Sequence, residues 1–364
     1  MLAAGVAGAF LVALAGLTAA CGSGSGTTGA DPPAAVGASP ASLRETGSTL
    51  LYALMHDWAT AYHQQVPAVS VSTAATGSSA GIAAASAGKA DIGTSDAYLS
   101  SGDLVENPGL LNIPLAISAQ QVDYNLPRVG AGTHVRLDGQ VLARMYQGTI
   151  TSWNDPAIAA LNPGVRLPAV GVVPVHRSDG SGDTFLFSSY LSTQDPAWNT
   201  AIGYGTTVAW PPVAGAVAAH GNSGVVSACQ QTPGCVAYAG ISYLSAALAD
   251  GLGEAELANA AGQFELPTAA TIDASVAAFV SSTPPDETIS MVDGPAADGY
   301  PVVNYEYAIV SATQPSRARA RALQAFLKWV ITTGNSAVYL DTVRFQPLPA
   351  DVVTLAVQQI DRIG

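Results

Sequence analysis

The chain has 364 residues, 49% apolar and only 11% charged, with a net charge of −13. That length exceeds one typical core and predicts two domains or lobes, while the composition excludes a disordered polymer. The acidic balance argues against nucleic acid and against an anionic membrane surface as partners, so any anionic ligand must be held by local dipoles and short hydrogen bonds.

Leu2 to Ala20 form a nearly unbroken apolar run, and Cys21 follows directly. The run is long enough to span a bilayer, which keeps a plain signal anchor as an alternative. Thr18-Ala19-Ala20-Cys21 nevertheless resembles a bacterial lipobox, in which the cysteine is lipidated and becomes the new N-terminus. Leu17 sits one place early for that motif, and no Lys or Arg precedes the apolar run. The expectation is a signal and lipobox over residues 1–21, with Cys21 anchoring the chain to the outer face of the cell membrane. Residues 22–40 are Gly, Ser, Thr, Pro and Ala with Asp31 as the single charge, and read as a flexible tether.

The folded part opens with Arg44-Glu45-Thr46-Gly47-Ser48-Thr49. Leu51, Leu54, Met55, Trp58, Ala59 and Tyr62 then step by three and four, which predicts an amphipathic helix with Ser48 or Thr49 near its cap. Val69 to Ala74 alternates as a strand, Gly77-Ser78-Ser79-Ala80-Gly81 turns into a small-residue helix reaching Gly88, and Ala90 to Asp96 is a strand with a polar end. This alternation predicts α/β architecture with a largely parallel sheet. From Asn112 to Leu126 the apolar segments are broken by Pro114 and bounded by Pro127, and a helix carrying Val141, Leu142, Met145 and Tyr146 follows.

Val170 to Val175 reads as a buried strand, and Phe185, Leu186, Ser189 and Tyr190 fall at helical spacing. Between them His176-Arg177-Ser178-Asp179-Gly180-Ser181-Gly182-Asp183-Thr184 forms a cradle. Its glycines let N–H groups converge, Ser181, Asp183 or Thr184 can cap the helix, and Arg177 offers a planar fork of donors to a tetrahedral oxyanion. Cys229 and Cys235 flank Pro233-Gly234, and beyond a signal sequence a small disulfide loop is expected of them. They lack the His or Cys partners of a metal site, so neither a metal nor a cofactor is indicated. Val302 to Val310 returns to a strand pattern, and Pro315-Ser316 starts a helix with Leu323, Phe326, Leu327, Val330 and Ile331.

Three loops share one grammar of strand, Gly/Ser/Thr and helix start: Gly47-Ser48-Thr49, Gly77-Ser78-Ser79 and Gly180-Ser181-Gly182-Asp183. Such loops converge at the carboxyl ends of parallel strands and predict one donor-rich anion pocket. Asp96 is the odd member, since a carboxylate repels an anion unless the anion carries a proton. Monohydrogen and dihydrogen phosphate can donate an O–H, whereas sulfate would leave Asp96 facing no donor in a desolvated pocket, at a cost of several kcal/mol. An inward-pointing Asp183 would sharpen that choice. The alternative is a serine hydrolase or phosphatase-like enzyme, because Gly77-Ser78-Ser79-Ala80-Gly81 matches G-x-S-x-G between a strand and a helix. That reading lacks a late histidine, for none follows His220, and lacks an HGGG-type loop.

Taken together, Thr46-Gly47-Ser48-Thr49-Leu50, Gly77-Ser78-Ser79-Ala80-Gly81, Asp91-Ile92-Gly93-Thr94-Ser95-Asp96 and Arg177 to Thr184 resemble the phosphate-binding lipoproteins of bacterial ABC phosphate importers, the PstS type. Pro233 to Tyr238, Asp293-Gly294-Pro295 and Tyr300 to Tyr307 resemble its actinobacterial and mycobacterial branch. The resemblance implies a two-lobe periplasmic-binding-protein fold of the Venus-flytrap type (type II) with the ligand between the lobes. Lobe I would comprise 41–126 plus 300–364, and lobe II 127–299. It implies no enzymatic role, inorganic phosphate as ligand and the permease subunits of a phosphate importer as partners. The site residues it implies are Ser48, Thr49 and Leu50 from the first loop, Ser78 from the second, Asp96 accepting the phosphate proton, and Arg177, Ser181, Gly182 and Asp183 from the second lobe.

Overall fold

The computed structural model describes residues 40–364 apart from 127, 130 and 131. The signal, Cys21 and nearly all of the tether lie outside the described residues. Among the described residues twelve strands run in chain order as β1 Ala41–Gly47, β2 Val69–Ser72, β3 Ile92–Ser95, β4 Leu110–Tyr124, β5 Arg136–Leu137, β6 Val173–Arg177, β7 Val217–Ala219, β8 Cys235–Gly240, β9 Gly253–Glu254, β10 Glu256–Ala258, β11 Phe264–Glu265 and β12 Val303–Ser311. One sheet has the order β2-β1-β3-β12-β4-β8-β6-β7 with β9 also on β4, while β11, β10 and β5 form a small second sheet.

The parallel pairs lie towards the two ends, β1 with β2 and β3, and β6 with β7 and β8. The centre differs from the largely parallel expectation: β12 runs antiparallel to both β3 and β4, and β4 antiparallel to β8. Leu110–Ala119 of β4 pair with β12, and Gln120–Tyr124 of the same strand pair with β8. One strand therefore belongs to both halves of the molecule. Pro114 does not break it. The register with β12 slips at this point, so that Tyr307 faces Pro114 and Glu306 faces Ala116, and the missing proline N–H is absorbed in a bulge.

Every residue of β4 is buried. Its layers come from the amphipathic helices that the spacing predicts. Helix Tyr52–Gln65 buries Leu54, Met55, Trp58, Ala59 and Tyr62, and helix Arg317–Val330, capped by Ser316, buries Leu323, Phe326, Leu327 and Val330. Tyr62 meets Phe326 edge-on at 5.2 Å, joining the two helices over the β1 side of the sheet. On the other half Cys229, in helix Gly221–Gln231, is bonded to Cys235 at the start of β8, with 5.3 Å between their Cα atoms.

A buried acid away from the loops sets a pH dependence. Glu287 is fully buried and neither carboxyl oxygen has a hydrogen-bond partner; burial, with a contribution from Asp286, pushes its pKa from 4.5 up to about 9. A raised carboxyl pKa in the fold means stability that is full below the unfolded value and lost as pH rises through the folded one. Burial likewise raises Glu45 and Asp123, each to about 7. Urea midpoints are therefore expected to fall between pH 5 and pH 9, and Glu287→Gln to flatten the upper part of that fall. An unchanged slope between pH 7 and pH 9 in the variant would remove Glu287 as its source.

Candidate functional site

At the end of β1, Gly47 has φ 150° and approaches β3 so closely that a Cβ there would lie 2.0 Å from the Thr94 carbonyl. No side chain fits. This tight exit presents Ser48, whose N–H donates to both the carbonyl and the hydroxyl of Thr94 at 3.0 Å and whose hydroxyl accepts from Leu51 N at 3.0 Å. The Ser48 hydroxyl also donates to Asp96 Oδ1. Ser78, the first residue of helix Ser78–Ser86, donates its hydroxyl to Asp96 Oδ2 at 3.3 Å. Asp96 follows β3 directly and is 2% exposed, so both hydroxyls meet it away from water. Burial, reinforced by the neighbouring acids Glu306 and Asp183, holds its carboxyl well above the usual carboxylate range.

From the other half, β6 ends at Arg177, and Ser181 caps helix Gly182–Gln194 by accepting from Asp183 N at 3.0 Å. The Arg177 fork is met by Asp179, which accepts from Nε at 2.8 Å and from Nη2, while Nη1 donates to Asp183 Oδ2 at 2.5 Å. Burial opposes ionisation of Asp179, yet the hydrogen bonds and charge of Arg177 keep it below the ordinary carboxylate value. The guanidinium is thus not an open bidentate clamp; its bidentate partner is Asp179, and two of its five N–H groups are left to point elsewhere. Asp183 is fully buried and turned inward, taking further hydrogen bonds from Ser181 Oγ at 3.2 Å and Asn222 Nδ2 at 2.8 Å.

The two sets touch. A Cβ on Gly182 would lie 2.5 Å from Asp96 Cβ and Oδ2, and Ser79 N donates to the Gly180 carbonyl at 3.2 Å. Asn222 Nδ2 reaches Thr49 Oγ1 at 2.9 Å, and the Leu50 carbonyl accepts from Ser242 Oγ at 2.9 Å. The Leu50 side chain packs flat on Gly240 of β8, so this position contributes shape as well as its backbone. Beside the loops, Tyr98 meets Phe185 edge-on at 5.3 Å across the same boundary. Ser48, Thr49, Leu50, Ser78, Asp96, Arg177, Ser181, Gly182 and Asp183 are therefore brought into one connected, buried set.

Three members escape sequence reasoning. Asn222 bridges Thr49, Asp183 and the Gly240 N–H, which donates to its Oδ1 at 2.8 Å. Its signal was a fourth instance of the loop grammar, since Gly221-Asn222 opens a helix just after β7. Gln120 donates to the Asp183 carbonyl at 2.7 Å. Glu306, a lone acid in apolar β12, lies beside Asp96. The Gly77–Gly81 turn forms, but among the described residues no histidine hydrogen-bonds Ser79. His134 pairs with the Glu254 carbonyl at 2.9 Å, and His176 stacks on Trp210 at 4.9 Å. Among the described residues no His, Cys, Asp and Glu set is arranged to hold a metal.

A family model described as a PBP superfamily domain matches residues 32–333. The phosphate-binding protein PstS of Xylella fastidiosa strain Temecula1 is 32% identical over 322 residues, covering 88% of this chain and 85% of that protein. The phosphate-binding protein PstS3 of Mycobacterium bovis strain BCG is also 32% identical, over 308 residues, covering 81% of this chain and 80% of its own length. Among solved structures, a putative phosphate ABC transporter substrate-binding protein from Clostridium perfringens with bound phosphate superimposes with a TM-score of 0.60 at 17% identity. That match covers 85% of this chain and all of the other, and speaks to the fold. With the two-ended α/β sheet and the loop set at its middle, these matches establish that the chain belongs to the PstS family of phosphate-binding proteins within the PBP superfamily.

Proposed function

We propose that the protein is an extracytoplasmic receptor that binds inorganic phosphate, as its mono- or dihydrogen form, and delivers it to the permease of an ABC importer. The carrying observation is the meeting of Asp96, held by Ser48 and Ser78, with Gly182 and the Arg177–Asp183 pair from the other half of the sheet. The nine residues from Ser48 to Asp183 named above are the proposed ligand set. Their N–H and O–H groups supply donors, the helix start at Gly182 adds its dipole, and Asp96 accepts the ligand's own O–H. Lobe I is taken as 41–126 plus 300–364 and lobe II as 127–299, with the end of β4, Gln120–Tyr124, reaching out of lobe I to pair with β8 of lobe II. Because the set is complete only when both halves contribute, ligand contacts favour the closed arrangement over an open one. The permease reads the closed form, and the receptor performs no chemistry. Lipidation at Cys21 would hold it to the outer face of the cell membrane.

Isothermal titration with phosphate, sulfate and a chromogenic phosphate ester tests the reading. Phosphate heat with no sulfate heat and no ester turnover is expected; ester turnover dependent on Ser79 would favour the hydrolase instead. The close approach of the halves gives a sharper result. A methyl at Gly182 collides with Asp96, and overpacking of this kind costs about 1–3 kcal/mol, so Gly182→Ala is expected to weaken phosphate binding roughly ten- to a hundredfold. Wild-type affinity in that variant would show that the two halves need not meet here.

A further inference from the structure

Behind the ligand loops stands a carboxyl pair that donor counting does not explain. The β3–β12 register places Ser95 opposite Tyr307, so the next antiparallel step sets Asp96 against Glu306. Glu306 is fully buried. Its Oε1 accepts from Ser118 Oγ at 2.6 Å and Asn304 Nδ2 at 3.0 Å, whereas its Oε2 is buried with no donor. The same Asn304 Nδ2 donates to the Asp96 carbonyl at 3.1 Å and ties the two segments together. Two ionised carboxylates cannot donate to one another, and like charges in a dry site disfavour double ionisation. A single proton between Asp96 and Glu306 answers both problems.

We propose that Asp96 and Glu306 hold one proton between them and that Glu306 takes it when a phosphate O–H docks on Asp96. The step balances without a co-reactant: the Asp96 carboxyl gives its proton to Glu306 Oε2, and the resulting Asp96 carboxylate accepts a hydrogen bond from the ligand hydroxyl. No bond to phosphorus forms or breaks, and release of the ligand reverses the transfer. Glu306 is thereby a positioning residue for selectivity. Without such a partner, a buried Asp96 would keep its proton, present a donor, and fail to tell a phosphate hydroxyl from a bare sulfate oxygen.

The other groups around the pair fit this assignment. Ser48 and Ser78 bring hydroxyls to Asp96 from lobe I. Asp183, on helix Gly182–Gln194, adds a negative charge felt by both acids, and Arg177 on β6 answers Asp183 directly. Burial raises Glu306 as it does Asp96, and the Glu306 charge raises Asp96 further.

The inference rests on the phosphate reading, and isotope-edited infrared spectroscopy separates the two. Phosphate-bound minus free difference spectra of the full chain would be recorded at pH 8 with ordinary and with ¹³C-carboxyl glutamate. Buried acids that do not change, Glu287 included, cancel. Expected is the loss of one protonated carboxyl band insensitive to the glutamate label and a one-for-one gain of a band that shifts with it. Glu306→Gln should remove both bands and narrow the phosphate-over-sulfate margin in paired calorimetric titrations. A chain that binds phosphate without this exchange, or a variant that retains it, overturns the role of Glu306. Absence of phosphate heat in the wild type would overturn the receptor reading instead. Should Glu306→Gln fail to fold, the labelled wild-type spectra decide alone.

Discussion

Arg177→Ala is expected to reduce phosphate affinity by at least about a hundredfold and to destabilise the fold at the same time. The guanidinium is 3% exposed and serves two acids, Asp179 through Nε and Nη2 and Asp183 through Nη1. Its remaining N–H groups are the strongest donors in the proposed ligand set, and hydrogen bonds to charged groups are worth about 1.5–3 kcal/mol each. Truncation also strands the fully buried Asp183 carboxylate and takes from half-buried Asp179 its bidentate partner; breaking a buried pair from one side costs roughly 3–5 kcal/mol. Arg177→Lys keeps one charge but cannot span both Asp179 oxygens and Asp183, so an intermediate loss is expected. Phosphate titrations alongside urea midpoints test both halves of the expectation. A variant with wild-type stability and affinity would mean that Asp179 and Asp183 find other partners.

Asp96→Asn is expected to act on choice rather than on strength. An asparagine carbonyl can still accept from a serine hydroxyl, and its amide offers a donor to any oxyanion. Phosphate affinity should fall about tenfold, less than for Arg177→Ala, because one acceptor is lost and one donor gained. Sulfate no longer meets a bare carboxylate, so the phosphate-to-sulfate ratio should drop by about a hundredfold or more. Paired titrations with the two anions give the ratio. If both variants lose affinity and discrimination in equal measure, Asp96 is one contact among several.

Much of the site was readable along the chain because its parts are local. A glycine, a hydroxyl and a helix start lie within three or four residues of each other at Ser48, Ser78 and Ser181, and short-range sterics and capping dictate those turns. The spacing of Leu54, Trp58 and Tyr62 likewise fixed which helix face is buried. What remained hidden is set by pairing between distant strands. Glu306 reaches Ser118 across 188 positions and Asn222 reaches Thr49 across 173, and no local pattern encodes those meetings. Pro114 misled for the same reason. Read alone it ends a strand; opposite a slipped β12 it sits in a bulge and the strand runs on.

That unbroken β4 has a mechanical consequence. On the receptor reading, movement of one lobe against the other has to twist or bend this hydrogen-bonded strand. A fragment holding either half alone would leave β4, or the strands that pair with it, with an unpaired margin.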